Sequence, residues 1–177
     1  GFVKQAVFIE RDGILNRARL EGRTPASPLT LAEFQPNLEA APILESLKSA
    51  GFLVIATTNQ PGISRGYLSR RELDLMHGLL RARFALDEIL VCPHDDDDEC
   101  RCRKPQPGLL IEAAHAWHLC LDQCFVVSDK WQDAEAARLA GCTSLVVDSP
   151  TTTGTVRISR IRPVSENLLG SSRLNAE

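Results

Sequence analysis

Val7-Phe8-Ile9-Glu10-Arg11-Asp12-Gly13 decides the reading of this chain. An apolar run ends abruptly in two acids spaced by one residue, and a glycine follows. In an extended segment, side chains at i and i+2 point the same way. The pair therefore aims at one volume, where one carboxylate can attack or hold a metal while the other moves a proton. Acids at the carboxyl end of a buried strand stand where open α/β sheets place their active sites.

Outward from that stretch, short apolar runs at 6–9, 52–56, 89–92, 125–128 and 144–147 read as buried strands. Amphipathic segments alternate with them. Leu38, Ala41, Leu44 and Leu47 form one apolar stripe that Gly51 stops. Ser69-Arg70-Arg71-Glu72 has the form of a capping box and opens a helix with Leu73, Met76, Leu80 and Phe84 on one face. Pro107-Gly108 precedes a third helix carrying Leu110, Ala113, Ala114 and Trp117, and a fourth spans 131–140, ending at Gly141. Strand-helix alternation predicts parallel strands with right-handed crossovers. The expected fold is one three-layer, Rossmann-like α/β domain over about residues 1–150, with helices on both faces and no large cap domain. Residues 151–177, rich in Ser, Thr and Arg, are expected to add a final strand and a loose tail to the same domain. Access to the site falls to loops at 16–36, 60–69 and 92–105.

Composition narrows the class. The chain has 177 residues, 44% of them hydrophobic and 24% charged, as in an ordinary soluble domain. A net charge of -3 argues against nucleic acid or an anionic membrane as partner. No apolar run approaches the roughly 20 residues of a membrane helix. Three of the six cysteines cluster with a histidine, a pattern of metal binding in a reducing cytoplasm rather than of disulfides.

Four groups of residues carry chemistry. Glu10, Asp12 and Asp129 each follow a strand, so three carboxylates can converge on a hard cation such as Mg2+, with Asp133 one helical turn on to support them. Thr57-Thr58-Asn59-Gln60-Pro61-Gly62 places hydroxyls, an amide and a glycine turn after a strand, which suits phosphate oxygens. Cys92, His94, Cys100 and Cys102 make a closed tetrahedral zinc set of structural type. Arg103 and Lys104 are tied to its last cysteine, so zinc would position two cations toward phosphate; Arg65 can hold a second phosphate. Asp95 to Asp98, inside the zinc loop, read as a solvated acidic face. His77, His115 and His118 read as surface or half-buried, and Cys120, Cys124 and Cys142 as small core residues.

These pieces, in this order, resemble the haloacid dehalogenase superfamily of phosphatases. Within it they resemble the subgroup holding heptose-bisphosphate and histidinol-phosphate phosphatases. The zinc loop running into Arg103-Lys104-Pro105 is the mark of that subgroup, and Asn59-Gln60-Pro61-Gly62-Ile63-Ser64-Arg65-Gly66 looks like its heptose branch. The resemblance covers about residues 5–148. It implies a nucleophile at position 10 that also binds Mg2+, and Asp12 as general acid and base whose main-chain carbonyl binds the metal. It further implies Thr58 on the transferring phosphoryl group, Lys104 steadying nucleophile and phosphate, and Asp129 completing the metal site. Asn59, Arg65, Arg103 and Lys130 fall to substrate binding or support. The implied partner is a small sugar phosphate, most simply heptose 1,7-bisphosphate, for a cytoplasmic monomer.

One position departs from the pattern: the family's nucleophile is Asp, and here it is Glu10. The extra methylene moves the carboxylate by roughly 1.5 Å. Three outcomes are open at this stage: a strand shift that lets Glu10 work, a slow or inactive enzyme, or a phosphate-binding protein without turnover. Histidinol phosphate stands as the alternative substrate.

Overall fold

The computed structural model describes residues 4–147. The 151–177 segment, expected as strand and tail, lies outside the described residues. Five strands form one sheet in the order β5-β4-β1-β6-β7: β1 (Ala6–Glu10), β4 (Leu53–Asn59), β5 (Glu88–Cys92), β6 (Phe125–Ser128) and β7 (Thr143–Val146). Every pairing in it is parallel. The chain steps outward from β1 to β4 and β5, then crosses back to β6 and β7 on the other side. The strand order thus reverses at β1, and the carboxyl end of β1 is the crevice where such sheets bind ligands.

Period-two alternation sorts the core into two faces. Val7 and Ile9 of β1, with Val54 and Ala56 of β4, meet Leu44 and Leu47 of α1 (Ala41–Ser49) and Leu73, Met76 and Leu80 of α2 (Arg70–Arg83). Ala6 and Phe8, with Ile55, meet Leu109, Leu110 and Ala113 of α3 (Gly108–Trp117) and Ala136 and Ala137 of α4 (Trp131–Ala140). All five residues of β1 are buried, as expected of a central parallel strand covered on both sides.

Several local expectations need correction. Leu38 lies in a short 3-10 turn ahead of α1 and is 58% exposed, so it is not part of that helix's buried stripe. Ser69 Oγ does accept from Glu72 N, but the Glu72 carboxylate accepts from Leu31 N at 2.7 Å. The Ser69 cap is therefore one-sided, and Glu72 ties α2 to the 16–36 segment. That segment is not plain loop: β2 (Arg19–Glu21) and β3 (Thr24–Ala26) pair as an antiparallel hairpin. β4 runs on through Asn59, so Thr57 and Thr58 belong to the strand rather than to the loop after it. Cys124 and Cys142 are buried as expected, whereas Cys120 is half-buried and donates its thiol to Asp122.

Candidate active site

Parallel register brings the expected residues to one end of the sheet. Glu10, the last residue of β1, sits opposite Thr57 of β4, and Thr58 and Asn59 follow along β4. Asp129 comes directly after β6, the strand on the other side of β1.

Lys104 crosses from the far loop to meet Glu10. Its Nζ pairs with Glu10 Oε2 and with Asp133 Oδ1 (2.6 Å), and donates to the main-chain oxygen of Thr57 (3.3 Å). All three side chains are 5% exposed or less. Two buried carboxylates thus face one buried ammonium. Burial and then the Asp133 charge push the Glu10 carboxyl up to about 8, against the pull of Lys104 and Lys130. Burial also opposes the charge of Asp133, but Lys104 outweighs it and keeps Asp133 below the usual carboxylate range. Of the two carboxyls on Lys104, Asp133 is the one whose charge the surroundings favour, and Glu10 the one whose charge burial disfavours. Asp133 also accepts from Ser128 Oγ at 2.8 Å, which fixes it at the start of α4.

Asp12 has the opposite environment. Its Oδ1 accepts from Arg11 Nη2 (2.7 Å), Arg11 Nε (3.1 Å) and Asn16 (2.9 Å). Its Oδ2 accepts from the Ser27 hydroxyl and from Gln60 Nε2 (3.2 Å). Burial works to raise its pKa; the Arg11 charge and the donors outweigh it and hold Asp12 at about 2. Arg11 is fully buried, with its third nitrogen 3.1 Å from His77 Nε2 and its guanidinium carbon 5.3 Å from the centre of the Phe34 ring. His77 is therefore a buried partner, not a surface residue. Burial and then the nearby Arg11 and Arg81 charges push it down to about 3, which leaves the imidazole neutral and able to accept from Arg11.

The four expected metal ligands come together. Cys92, His94, Cys100 and Cys102 bring their ligand atoms within 4.8 Å of one another, and all six cysteines are free thiols. Tetrahedral zinc with bonds of about 2.3 Å needs sulfurs about 3.8 Å apart; Cys92 stands 3.6 Å from Cys100 and 2.9 Å from Cys102, so the second pair must spread by about 1 Å around the ion. The main-chain N–H of Arg103 donates to Cys100 Sγ at 3.3 Å. Burial opposes its ionisation, yet that N–H and the Cys102 N–H draw Cys100 down to about 7, toward the thiolate a metal binds. The donor chemistry fits zinc. The loop reaches the site through Lys104, whose main chain is clasped by Asn59: Oδ1 accepts from Lys104 N (3.1 Å) and Nδ2 donates to Lys104 O (3.3 Å). Asn59, expected on substrate, thus has its amide engaged in positioning Lys104. Gly108 closes the loop from behind. A Cβ there would stand 2.2 Å from the Arg101 carbonyl, so the helix start can approach only as glycine.

Arg65 and Arg103 also have partners in the chain. Asp95 takes Arg65 in a two-pronged pair (2.6 and 2.8 Å), Asp96 takes Arg103 Nε (2.7 Å), and Asp98 accepts from Ser64 (2.8 Å). The Asp95–Asp98 run is therefore a latch between the 60–69 and 92–105 loops, more than the bare solvated face its composition suggests. A cavity of about 240 Å³ opens beside Asp12, walled by Ser27 and Ala26 of the hairpin and by Asp129 and Lys130. For a hard cation, the set of Glu10 carboxyl, Asp12 carbonyl and Asp129 carboxylate is all oxygen, and a positive group already rests among them. Lys130 Nζ donates to Asp12 O (2.6 Å) and Asp129 Oδ1 (3.1 Å). The donors fit Mg2+.

In the sequence Arg11 is only the spacer between two acids, and no motif includes Ser27. A charged residue closing an otherwise apolar buried run was the available signal for Arg11; nothing local marks Ser27, which the hairpin brings to Asp12.

The class follows from this arrangement: the chain belongs to the haloacid-dehalogenase-like phosphatases, and the HAD-hydrolase-like family model matches residues 101–168. Among individual relatives, a D-glycero-beta-D-manno-heptose-1,7-bisphosphate 7-phosphatase of Pseudomonas putida is 35% identical over 146 residues, covering 80% of this chain and 81% of the relative. Its counterpart in Helicobacter pylori is 34% identical over 135 residues, covering 73% and 75%. The crystal structure of D,D-heptose 1,7-bisphosphate phosphatase from B. bronchiseptica, complexed with magnesium and phosphate, matches with a TM-score of 0.72 at 28% identity, covering 86% of this chain and 85% of that one.

Proposed function

We propose that this chain is a Mg2+-dependent phosphomonoesterase acting on a phosphorylated sugar, with heptose 1,7-bisphosphate as its substrate. The observation that carries the reading is the delivery of Lys104, by a loop of three thiols and one imidazole, onto the carboxyl group at position 10. The phosphatases to which the chain is similar support the substrate. A cytoplasmic setting suits thiols kept for zinc. One domain to about residue 150, acting as a monomer, is part of the same proposal.

Glu10 attacks phosphorus in line and forms an acyl-phosphate as the sugar oxygen leaves. Asp12 gives that oxygen its proton, then takes one from the water that hydrolyses the acyl-phosphate. Lys104 and Thr58 hold the equatorial oxygens, while Arg65 and Arg103, released from Asp95 and Asp96, face a second phosphate. Glu10, the Asp12 carbonyl and Asp129 would hold Mg2+, which would supply positive charge to the transferring group. The resting state suits the second half of this cycle better than the first. Asp12 is held as the base, and its donors must be exchanged for substrate before it can act as an acid. Burial favours the neutral form of Glu10, and a neutral carboxyl is a poor nucleophile. That feature, with the extra methylene, favours a second reading: a slow phosphatase, or a phosphate binder without turnover.

The test is phosphate release from a panel containing a heptose 1,7-bisphosphate, a heptose monophosphate and histidinol phosphate, with Mg2+ present and absent. Release from the bisphosphate ahead of the others supports the proposal. Preference for histidinol phosphate overturns the substrate, and no release from any member leaves the binder reading in its place.

A further inference from the structure

Lys130 holds the position of a cation. Its Nζ bonds two of the three oxygen donors proposed for Mg2+, Asp12 O at 2.6 Å and Asp129 Oδ1 at 3.1 Å. Its charge also acts on the third, Glu10. The side chain starts from a fixed point, because Lys130 N donates to Ser128 Oγ (3.0 Å), and Ser128 in turn is held by Asp133. Gly13 leaves the room it occupies: with φ at +91°, a Cβ there would come within 3.3 Å of Nζ and 3.6 Å of both Asp129 oxygens.

A divalent ion bonded to the Asp12 carbonyl at about 2.1 Å stands no more than about 4.7 Å from an ammonium on the same oxygen. Two cations that close, on shared ligands, repel strongly in a half-buried site. Loading the metal therefore requires Lys130 to leave its two oxygens or to bear the repulsion. We infer that Lys130 is a built-in competitor for the divalent cation: a tethered stand-in that balances the carboxylates of the metal-free site and weakens its affinity for metal. The inference rests on the reading of Glu10, Asp12 and Asp129 as the Mg2+ site. The displaced ammonium still borders the cavity beside Asp12 and Ser27, where an anionic substrate would accept its hydrogen bonds.

The experiment is a Mn2+ titration of the zinc-replete protein without substrate, free Mn2+ being read by electron paramagnetic resonance. Lys130→Met binds Mn2+ at least tenfold more tightly than the natural chain, and Asp129→Asn loses binding, which shows that the site measured is this one. Urea unfolding of the zinc-replete protein without Mn2+ or Mg2+ gives the converse order, with Lys130→Met less stable than the natural chain; Lys130→Gln serves both measurements if the methionine variant does not fold. Equal or weaker Mn2+ binding by the Lys130 variants, while the natural chain binds and Asp129→Asn does not, overturns the competitor role and leaves the metal site standing. No binding by any of them removes the metal site, and the inference with it.

Discussion

Replacing Lys104 by methionine removes one charge from a group of three and leaves the volume nearly unchanged. The ammonium is lost from Asp133 at 2.6 Å, from Glu10 and from the Thr57 carbonyl at 3.3 Å. None of these side chains is more than 5% exposed, so water does not replace it. Glu10 already favours its neutral form, and the orphaned charge is that of Asp133. Breaking a buried pair from one side costs about 3–5 kcal/mol, a large share of the roughly 5–15 kcal/mol that holds a domain folded. The loss depends on pH with a definite sign. Asp133 in the natural chain is held below the ordinary range, so its contribution is present above about pH 4 and fades as pH falls. Without Lys104 the same carboxyl titrates higher, and the gap between variant and natural chain is widest near pH 7.5 and narrows toward acid. Urea unfolding at several pH values reads both quantities. Lys104→Met/Asp133→Asn recovers at least half of the loss, because the stranded charge goes with its partner. A cost below about 1 kcal/mol at pH 7.5, or a gap that ignores pH, refutes the argument that these three groups share one buried charge balance.

Other outcomes follow from the same geometry. Elemental analysis finds about one zinc per chain, and stripping it, or Cys100→Ser, lowers the unfolding midpoint and loosens Lys104 together with its Asn59 clasp. Ser27→Ala deletes a donor to ionised Asp12, worth about 1.5–3 kcal/mol, and so raises the Asp12 pKa. Asp12 is held down to about 2 and contributes stability above its unfolded value that is lost as pH falls through 2. The variant therefore loses less stability than the natural chain between pH 5 and pH 2; an unchanged difference by chemical denaturation contradicts the Ser27 contact.

Legibility from sequence differed by level. The five-strand parallel sheet was readable because β1, β4, β5 and β6 are continuous apolar runs, and α4 because Gly141 ends it in the left-handed region where glycine is at ease. The clustering of Cys92, His94, Cys100 and Cys102 was readable because their spacing is local. The hairpin of β2 and β3 was not: three-residue strands of Arg, Leu and Glu against Thr, Pro and Ala carry no apolar alternation. His77 looked unpartnered because its partner lies 66 residues away across the sheet. The pairing of Arg65 and Arg103 with Asp95 and Asp96 was hidden for the same reason: charge runs show composition, whereas ion pairs depend on how two loops meet.

Position 10 sets the rate. The added methylene misplaces the carboxylate by roughly 1.5 Å, and about 1 Å can cost on the order of 100-fold. Burial and the Asp133 charge also disfavour the ionised, nucleophilic form of Glu10. Single-turnover phosphate release from heptose 1,7-bisphosphate, with the natural chain and Glu10→Asp side by side at saturating Mg2+, measures both effects at once. Both chains release phosphate, Glu10→Asp faster by on the order of 100-fold. A Glu10→Asp variant no faster than the natural chain contradicts the misplacement of the Glu10 carboxylate.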